Sequence, residues 1–83
     1  MYLDKYTITL KKNNEGQLGF RIDSKGNILD IQAGGPAEEN GKIEVGDVLI
    51  AINGKDIEPE DRIIVLLRSL GRTSMLTFEK IIR

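Results

Sequence analysis

The sequence of 83 residues contains no cysteine and no histidine, and these two absences exclude whole classes of functional site. Without cysteine the chain can form no disulfide, no thiolate metal site and no thiol nucleophile. Without histidine it lacks the commonest general base and the commonest metal ligand. The sequence therefore predicts a protein with neither a cofactor nor a bound metal.

The chain also lacks an excess of one charge: 12 Lys and Arg stand against 13 Asp and Glu, for a net charge of −1. A pI near 5.4 argues against a nucleic-acid partner, because such binders usually carry a basic excess. The apolar run 63–67 is far too short to span a membrane, and residues 1–5 lack the apolar core of a signal peptide. We therefore expect a single soluble domain over residues 1–83, located in the cytoplasm.

Glycine and proline divide the chain into short units, and most units alternate apolar with polar residues as half-buried strands do. The pattern predicts strands at 6–11, 18–23, 28–31, 48–52, 55–57 and 73–82. Residues 24–27 resemble a turn, so the second and third strands should form a hairpin. Asn53-Gly54 is the strongest short hairpin signal in the chain and should join the fourth strand to the fifth.

Two helices are predicted between these strands. A very short one occupies 34–41, with Pro36 at its start and Gly41 at its end. A long one is predicted over 59–70, because Pro59 suits the first helical position and Gly71 suits the stop. The fold class is therefore mainly β with two helices: a six-stranded, partly open barrel or sandwich capped by one short and one long α-helix.

The predicted long helix has more apolar residues than one buried face requires. Its core stripe follows the i, i+3, i+4, i+7 spacing: Ile63, Leu66, Leu67 and Leu70. Ile64 falls outside this stripe and shares a second face with Glu60 and Leu67. That face is either a wide contact with the core or one wall of a groove, and the helical spacing alone favours the core contact.

The segment 15–20 favours the groove interpretation. It is a glycine-containing loop that enters a strand, and its free N–H groups could form a concave nest for a carboxylate. Lys11 and Lys12 stand just upstream and could add positive charge. A strand with an unpaired edge would also offer backbone hydrogen bonds to an incoming peptide. The alternative is an ordinary bulged turn, which the spacing does not reject.

Gln17-Leu18-Gly19-Phe20 resembles the x-Φ-G-Φ carboxylate-binding loop of PDZ domains. Two further blocks follow in that family's order. Residues 33–37 resemble its Gly-Gly-Pro-Ala turn, and residues 41–54 resemble its Gly-Asp, buried strand and Asn-Gly stretch. The resemblance covers about residues 4–82, essentially the whole chain.

The resemblance implies a protein-interaction module that binds the free C-terminal tail of a partner between the second strand and the long helix. The tail would end in Val, Leu or Ile, the domain would be a monomer, and membrane contact would arise only through receptor tails. The implied sites are the carboxylate-binding amides of Leu18, Gly19 and Phe20 with Lys12 (or Lys11), a pocket of Leu18, Phe20, Ile22, Ile64 and Leu67, and the specificity residues Arg21, Leu29 and Glu60.

Other classes of function have weaker support. Ser24, Ser69 and Ser74 have no histidine partner, so we expect no enzyme. The acidic residues of 58–61 could hold a hard cation, but the start of a helix explains them without one. Gly16 to Gly19 formally matches an RNA-clamping GxxG, without the basic patch that such a site has. The remaining alternative is a regulatory or substrate-selecting PDZ-like appendage of a protease.

Overall fold

The computed structural model describes residues 2–82, which form six strands and two helices. The elements are β1 (Tyr2–Lys11), β2 (Phe20–Ile22), β3 (Ile28–Ile31), α1 (Pro36–Asn40), β4 (Val48–Ile52), β5 (Lys55–Asp56), α2 (Ile63–Arg68) and β6 (Thr73–Ile82). The mainly β fold with two helices is thus confirmed. No helix within the described residues is long and apolar enough to cross a membrane.

Four of the strands form one sheet in the order β1-β6-β4-β5. β1 pairs with β6 antiparallel over its whole length, from Tyr2↔Ile82 to Lys11↔Thr73, and so begins four residues earlier than predicted. Asn53 and Gly54 both have positive φ, 51° and 81°, as the tight turn between β4 and β5 requires. The predicted hairpin at this position is confirmed.

β2 and β3 form a separate two-stranded sheet. The turn between them is organised by Asp23, whose Oδ1 accepts the N–H groups of Lys25 and Asn27, each at 2.9 Å. The Asn27 side chain donates to Asp23 Oδ2 at 2.9 Å. This side-chain hydrogen bond, followed by the backbone one from Asn27, lowers the pKa of Asp23 because both favour the ionised carboxylate.

Backbone hydrogen bonds join this hairpin to the larger sheet. Leu49 donates to Gly26 O at 2.8 Å, Ile28 to Asp47 O at 2.8 Å, and Gly46 to Ile28 O at 2.9 Å. The hairpin is therefore held by the start of β4. Among the described residues β2 pairs only with β3, so the other edge of β2 is open.

The core lies between the two sheets and the helices. Its buried apolar members are Ile8, Leu10, Leu18, Ile28, Ala37, Ile43, Leu49, Ile63, Leu76 and Phe78. Phe78 is at the centre: its ring stacks on Tyr6 with centroids 5.5 Å apart and meets the edge of Phe20 at 6.2 Å. The even-numbered residues of β1 and β6 supply much of this core, as the predicted alternation requires.

A buried carboxylate ties three elements together beside the core. Asp47 accepts hydrogen bonds from the Tyr6 hydroxyl and, at 3.0 Å, from the Glu44 N–H. Burial and then the bond to Asp47 raise the pKa of the Tyr6 hydroxyl. Lys80 lies 3.4 Å from Asp47 Oδ2 and 2.6 Å from Glu44 Oε1. Burial lowers the pKa of Lys80, but these acidic partners outweigh burial and raise it.

The second helix is shorter than predicted. α2 spans Ile63–Arg68, so the predicted start at Pro59 is wrong. The residues before it form a turn instead, in which Glu58 N–H donates to Asp61 Oδ2 at 2.8 Å and Asp61 N–H donates to Glu58 O at 3.0 Å. The acidic residues therefore close a turn rather than begin a helix. α1 begins at Pro36, and Gly41, with φ 81°, follows its last residue as the predicted stop.

Gly26 makes the joint between the sheets sensitive to substitution. Its φ is +93°, and a Cβ there would lie 2.9 Å from Leu49 O. Gly54 also has positive φ but has open space around its Cα. We expect Gly26→Ala to lower the free energy of unfolding by about 2 kcal/mol or more and Gly54→Ala by about 1 kcal/mol, measured by urea denaturation. Equal losses would show that the joint absorbs the clash.

Candidate functional site

A groove of about 810 Å³ runs between β2 and α2. We call it the β2–α2 groove. Its lining residues are Lys12, Gly16, Gln17, Leu18, Gly19, Phe20, Arg21, Ile22, Leu29, Asp30, Gln32, Ile64, Leu67 and Arg68. The structure thus brings together the residues predicted from the sequence, with the exception of Glu60.

The open edge of β2 forms one side of the groove. Gln32 N–H donates to Gly19 O at 2.9 Å, so the carbonyl of Gly19 and, two residues on, the backbone groups of Arg21 point toward β3. The backbone groups of Phe20 and Ile22 alternate with them and face the groove. A strand edge with free N–H and C=O groups can take up another extended chain.

The glycine loop closes one end of the groove. Asn13 Oδ1 accepts the N–H groups of Glu15 and Gln17, each at 2.9 Å, and this braces the loop from inside. Leu18 O accepts the Ala37 N–H at 3.1 Å. The N–H groups of Leu18 and Gly19 have no acceptor within residues 2–82. The loop therefore presents free donors at the place where the resemblance implies a carboxylate.

Close packing fixes the shape of this loop. Gly19 has φ +90°, and a Cβ on it would lie 3.0 Å from Pro36 Cδ. A Cβ on Gly35 would lie 3.1 Å from Gly19 Cα. The Gly-Gly-Pro-Ala turn thus supports the loop from behind; the positive φ of Gly19 favours glycine there, and a Cβ on Gly35 would push the loop by a few tenths of an ångström.

The lysine predicted beside the loop lines the same end of the groove. Lys12 Nζ donates to Leu70 O at 2.7 Å, which ties the end of β1 to the segment after α2. Lys11 is exposed and does not line the groove. Of the two lysines that the sequence left open, the geometry therefore favours Lys12.

The wall opposite β2 is apolar. Ile64 is 44% exposed and lines the groove, whereas Leu67 is half-buried and packs on the core as well. Ile63, one residue before Ile64, is only 3% exposed and belongs to the core. Of the two interpretations of the second helix face, the structure supports a groove wall.

Two of the three predicted specificity residues line the groove and the third does not. Arg21 and Leu29 line the groove, and Arg21 lies directly opposite Asp30 on the β2–β3 ladder. Glu60 is exposed, lies in the turn before α2 and is not part of the lining. It would meet only a ligand that extends past the start of α2, and its role in specificity stays a prediction.

The sequence-based reasoning placed Gly16 and Gln17 in the glycine loop but missed three other lining residues: Asp30, Gln32 and Arg68. Arg68 could have been found, because it follows Ile64 by one helical turn. Asp30 could not, because its position opposite Arg21 depends on the register of a hairpin that contains a bulge.

Comparisons with known proteins agree with this geometry. The PDZ domain family model matches residues 7–77. The chain is 41% identical to mouse FERM and PDZ domain-containing protein 2 over 65% of its length, and 33% identical to mouse tyrosine-protein phosphatase non-receptor type 13 over 86%. It spans only 5% and 4% of the length of these two relatives.

Solved structures give the same result. The second PDZ domain of Dlg1 from the choanoflagellate Monosiga brevicollis superposes with a TM-score of 0.82 at 25% identity, covering 94% of this chain and 100% of that one. The N-terminal PDZ domain of InaD, in complex with a NorpA C-terminal peptide, has a TM-score of 0.82 at 21% identity, covering 96% and 100%. At 21% identity, that likeness shows the fold alone.

A half-open β fold with a groove between a strand edge and a helix defines a peptide-binding interaction module. The chain belongs to the PDZ domain family. PDZ domains are protein-interaction modules and are generally not enzymes. The comparisons do not favour the alternative of a protease appendage.

Alanine substitutions at Ile64 and Leu67 should distinguish a side chain of the groove wall from one that also packs in the core. We expect Leu67→Ala to lower the free energy of unfolding by about 2 kcal/mol or more, since it packs on the core. Ile64→Ala should cost less than about 1 kcal/mol, because this side chain is already 44% exposed. Val65→Ala, on the same helix and outside the groove, is the matched control in urea denaturation. A larger loss for Ile64→Ala than for Leu67→Ala would place Ile64 in the core.

Proposed function

We propose that the β2–α2 groove binds the free C-terminal tail of a partner protein as an added strand along β2. The observation that carries the proposal is the pair of N–H groups, those of Leu18 and Gly19, that have no acceptor within residues 2–82 and lie at the closed end of a groove with an open strand edge. Backbone donors in a concave loop suit an anion, and the end of a peptide supplies one.

The terminal carboxylate is held by the amides of Leu18, Gly19 and Phe20. Lys12 adds a positive charge at the same end of the groove, and its bond to Leu70 O keeps the ammonium in place. Charge-assisted hydrogen bonds of this kind are stronger than neutral ones. The InaD domain of the same fold is in complex with a C-terminal peptide, which supports the proposal.

The last side chain of the tail is apolar: Val, Leu or Ile. It enters the space between Phe20, Ile22 and the helix wall formed by Ile64 and Leu67. Burying one such side chain contributes roughly 1.5–3 kcal/mol. Together with a few strand hydrogen bonds, this gives a dissociation constant near the micromolar range, which corresponds to a binding free energy of about −8 kcal/mol.

The upstream residues of the tail are read by Arg21, Leu29 and Glu60. Arg21 and Leu29 lie along the groove, and Glu60 lies in the turn before α2. Residues 1–83 act as one monomeric domain, without nucleic acid and without catalysis, in the cytoplasm. Contact with a membrane arises only through the tails of receptors.

Amidation of the ligand tests the carboxylate assignment. A peptide that ends in Val should bind with a dissociation constant near the micromolar range, and its C-terminal amide should bind at least about 10-fold more weakly, since the free N–H groups lose their anion. Isothermal titration of the two peptides measures the difference. Ile64→Ala should weaken binding of the acid, whereas Val65→Ala should not. Equal affinity of acid and amide would overturn the proposal.

Glu60 should set a modest charge preference two residues before the C-terminus. Exchanging Lys for Glu at that ligand position should weaken binding by up to about 5-fold, since an exposed ion pair contributes roughly 0–1 kcal/mol. The effect should fade at high salt. Glu60→Gln should remove most of it in a titration of both peptides. An unchanged Lys/Glu ratio in Glu60→Gln would assign Glu60 to the turn alone.

A further inference from the structure

A second groove, of about 430 Å³, lies between the C-terminal part of β1 and α1. We call it the β1–α1 groove. Thr9 and Lys11 of β1, Pro36 and Asn40 of α1, and Arg72 contribute to its lining. None of these five residues lines the β2–α2 groove; Lys12 lies between the two grooves and lines both.

The β1–α1 groove contains an open strand edge. β1 is the outer strand of its sheet, and Lys12 N–H donates to Arg72 O on the side of β6. Because the pairing of an antiparallel ladder alternates, the even-numbered residues of β1 bond to β6. The backbone groups of Thr9 and Lys11 therefore point to the open side. No bond from α1 or from a loop within residues 2–82 satisfies them.

The charge of the groove is mainly positive. Lys11, Lys12 and Arg72 line it against a single carboxylate, that of Glu39. The Lys12 ammonium is already bonded to Leu70 O. Lys11 and Arg72, in contrast, form no ion pair with any residue of 2–82. An incoming acidic chain would thus find two cations that are free to pair with it.

The groove differs from the first one in its donors. Gly34 is the loop glycine in its lining, and its N–H already donates to Glu38 Oε1 at 2.9 Å. A terminal carboxylate would therefore find no free nest of amides here. The available groups are those of a strand edge, which pair with the backbone of an internal extended segment.

We propose that the β1–α1 groove is a second binding site, for an internal, extended, acidic segment of a partner protein. The segment adds as a strand beside Thr9 and Lys11, and its carboxylates pair with Lys11 and Arg72. The site is independent of the proposed C-terminal peptide site, because the strand edge, the helix and the cations involved are different ones.

The test uses the whole chain and a peptide that is acetylated and amidated, in which glutamate alternates with threonine or valine. The capped ends keep this probe from using the carboxylate loop. In a low-salt NMR titration, the amide signals of Thr9, Lys11 and α1 should shift, and those of Ile64 and Leu67 should not. A version methylated on every backbone nitrogen should not bind, since it cannot pair with a strand.

Charge reversal completes the test. Arg72→Glu and Lys11→Glu should each lower the affinity for the acidic peptide by about 5-fold. Lys55→Glu, an equal change of charge on β5, should lower it by less than about 2-fold. Arg72→Glu should retain the affinity for an apolar C-terminal peptide, which separates this proposal from the previous one. Undiminished binding of the methylated probe, shifts confined to the β2–α2 groove, or binding of inorganic triphosphate without binding of the probe would each overturn the proposal.

Discussion

The backbone hydrogen bonds between the hairpin turn and the start of β4 determine where the open edge of β2 lies. Leu49 N–H donates to Gly26 O, Ile28 N–H donates to Asp47 O, and Ile28 O accepts the Gly46 N–H, so these bonds hold the small sheet against the large one. Gly26 is required at this joint, because a Cβ would meet Leu49 O at 2.9 Å. Both the groove and its apolar wall follow from this placement, since α2 also packs on the core through Ile63.

The carboxylate loop depends on a second contact, made entirely by small residues. Gly19 lies against Pro36, and Gly35 lies against Gly19, so the turn before α1 supports the loop from behind. Gln32 N–H donates to the Gly19 carbonyl, and Ala37 N–H donates to the Leu18 carbonyl. As a result these two carbonyl groups are occupied, while the N–H groups of Leu18 and Gly19 have no acceptor within residues 2–82, an arrangement that favours an anion.

The two grooves show how one fold can present two strand edges. Each is bounded by an edge strand and by a helix of only five or six residues. They differ in what the edge is combined with: free loop amides and an apolar wall in the β2–α2 groove, and exposed cations in the β1–α1 groove. This difference is the physical basis for expecting a free C-terminus in the first and an internal acidic segment in the second.

The sequence by itself determined the fold class, the strand alternation and the glycine loop, because these depend on local spacing and on glycine. It did not determine the start of α2. Pro59 and the acids after it suit a helix locally, but the hydrogen bonds of Asp61 with Glu58 close a turn there. Only the tertiary structure shows that Glu60 lies outside the groove lining and that Asp30 lies opposite Arg21. It also shows that Lys12, and not Lys11, lines the β2–α2 groove. Each of these outcomes depends on contacts between residues distant in sequence or on a bulge in a ladder, which a pattern of neighbouring residues does not encode.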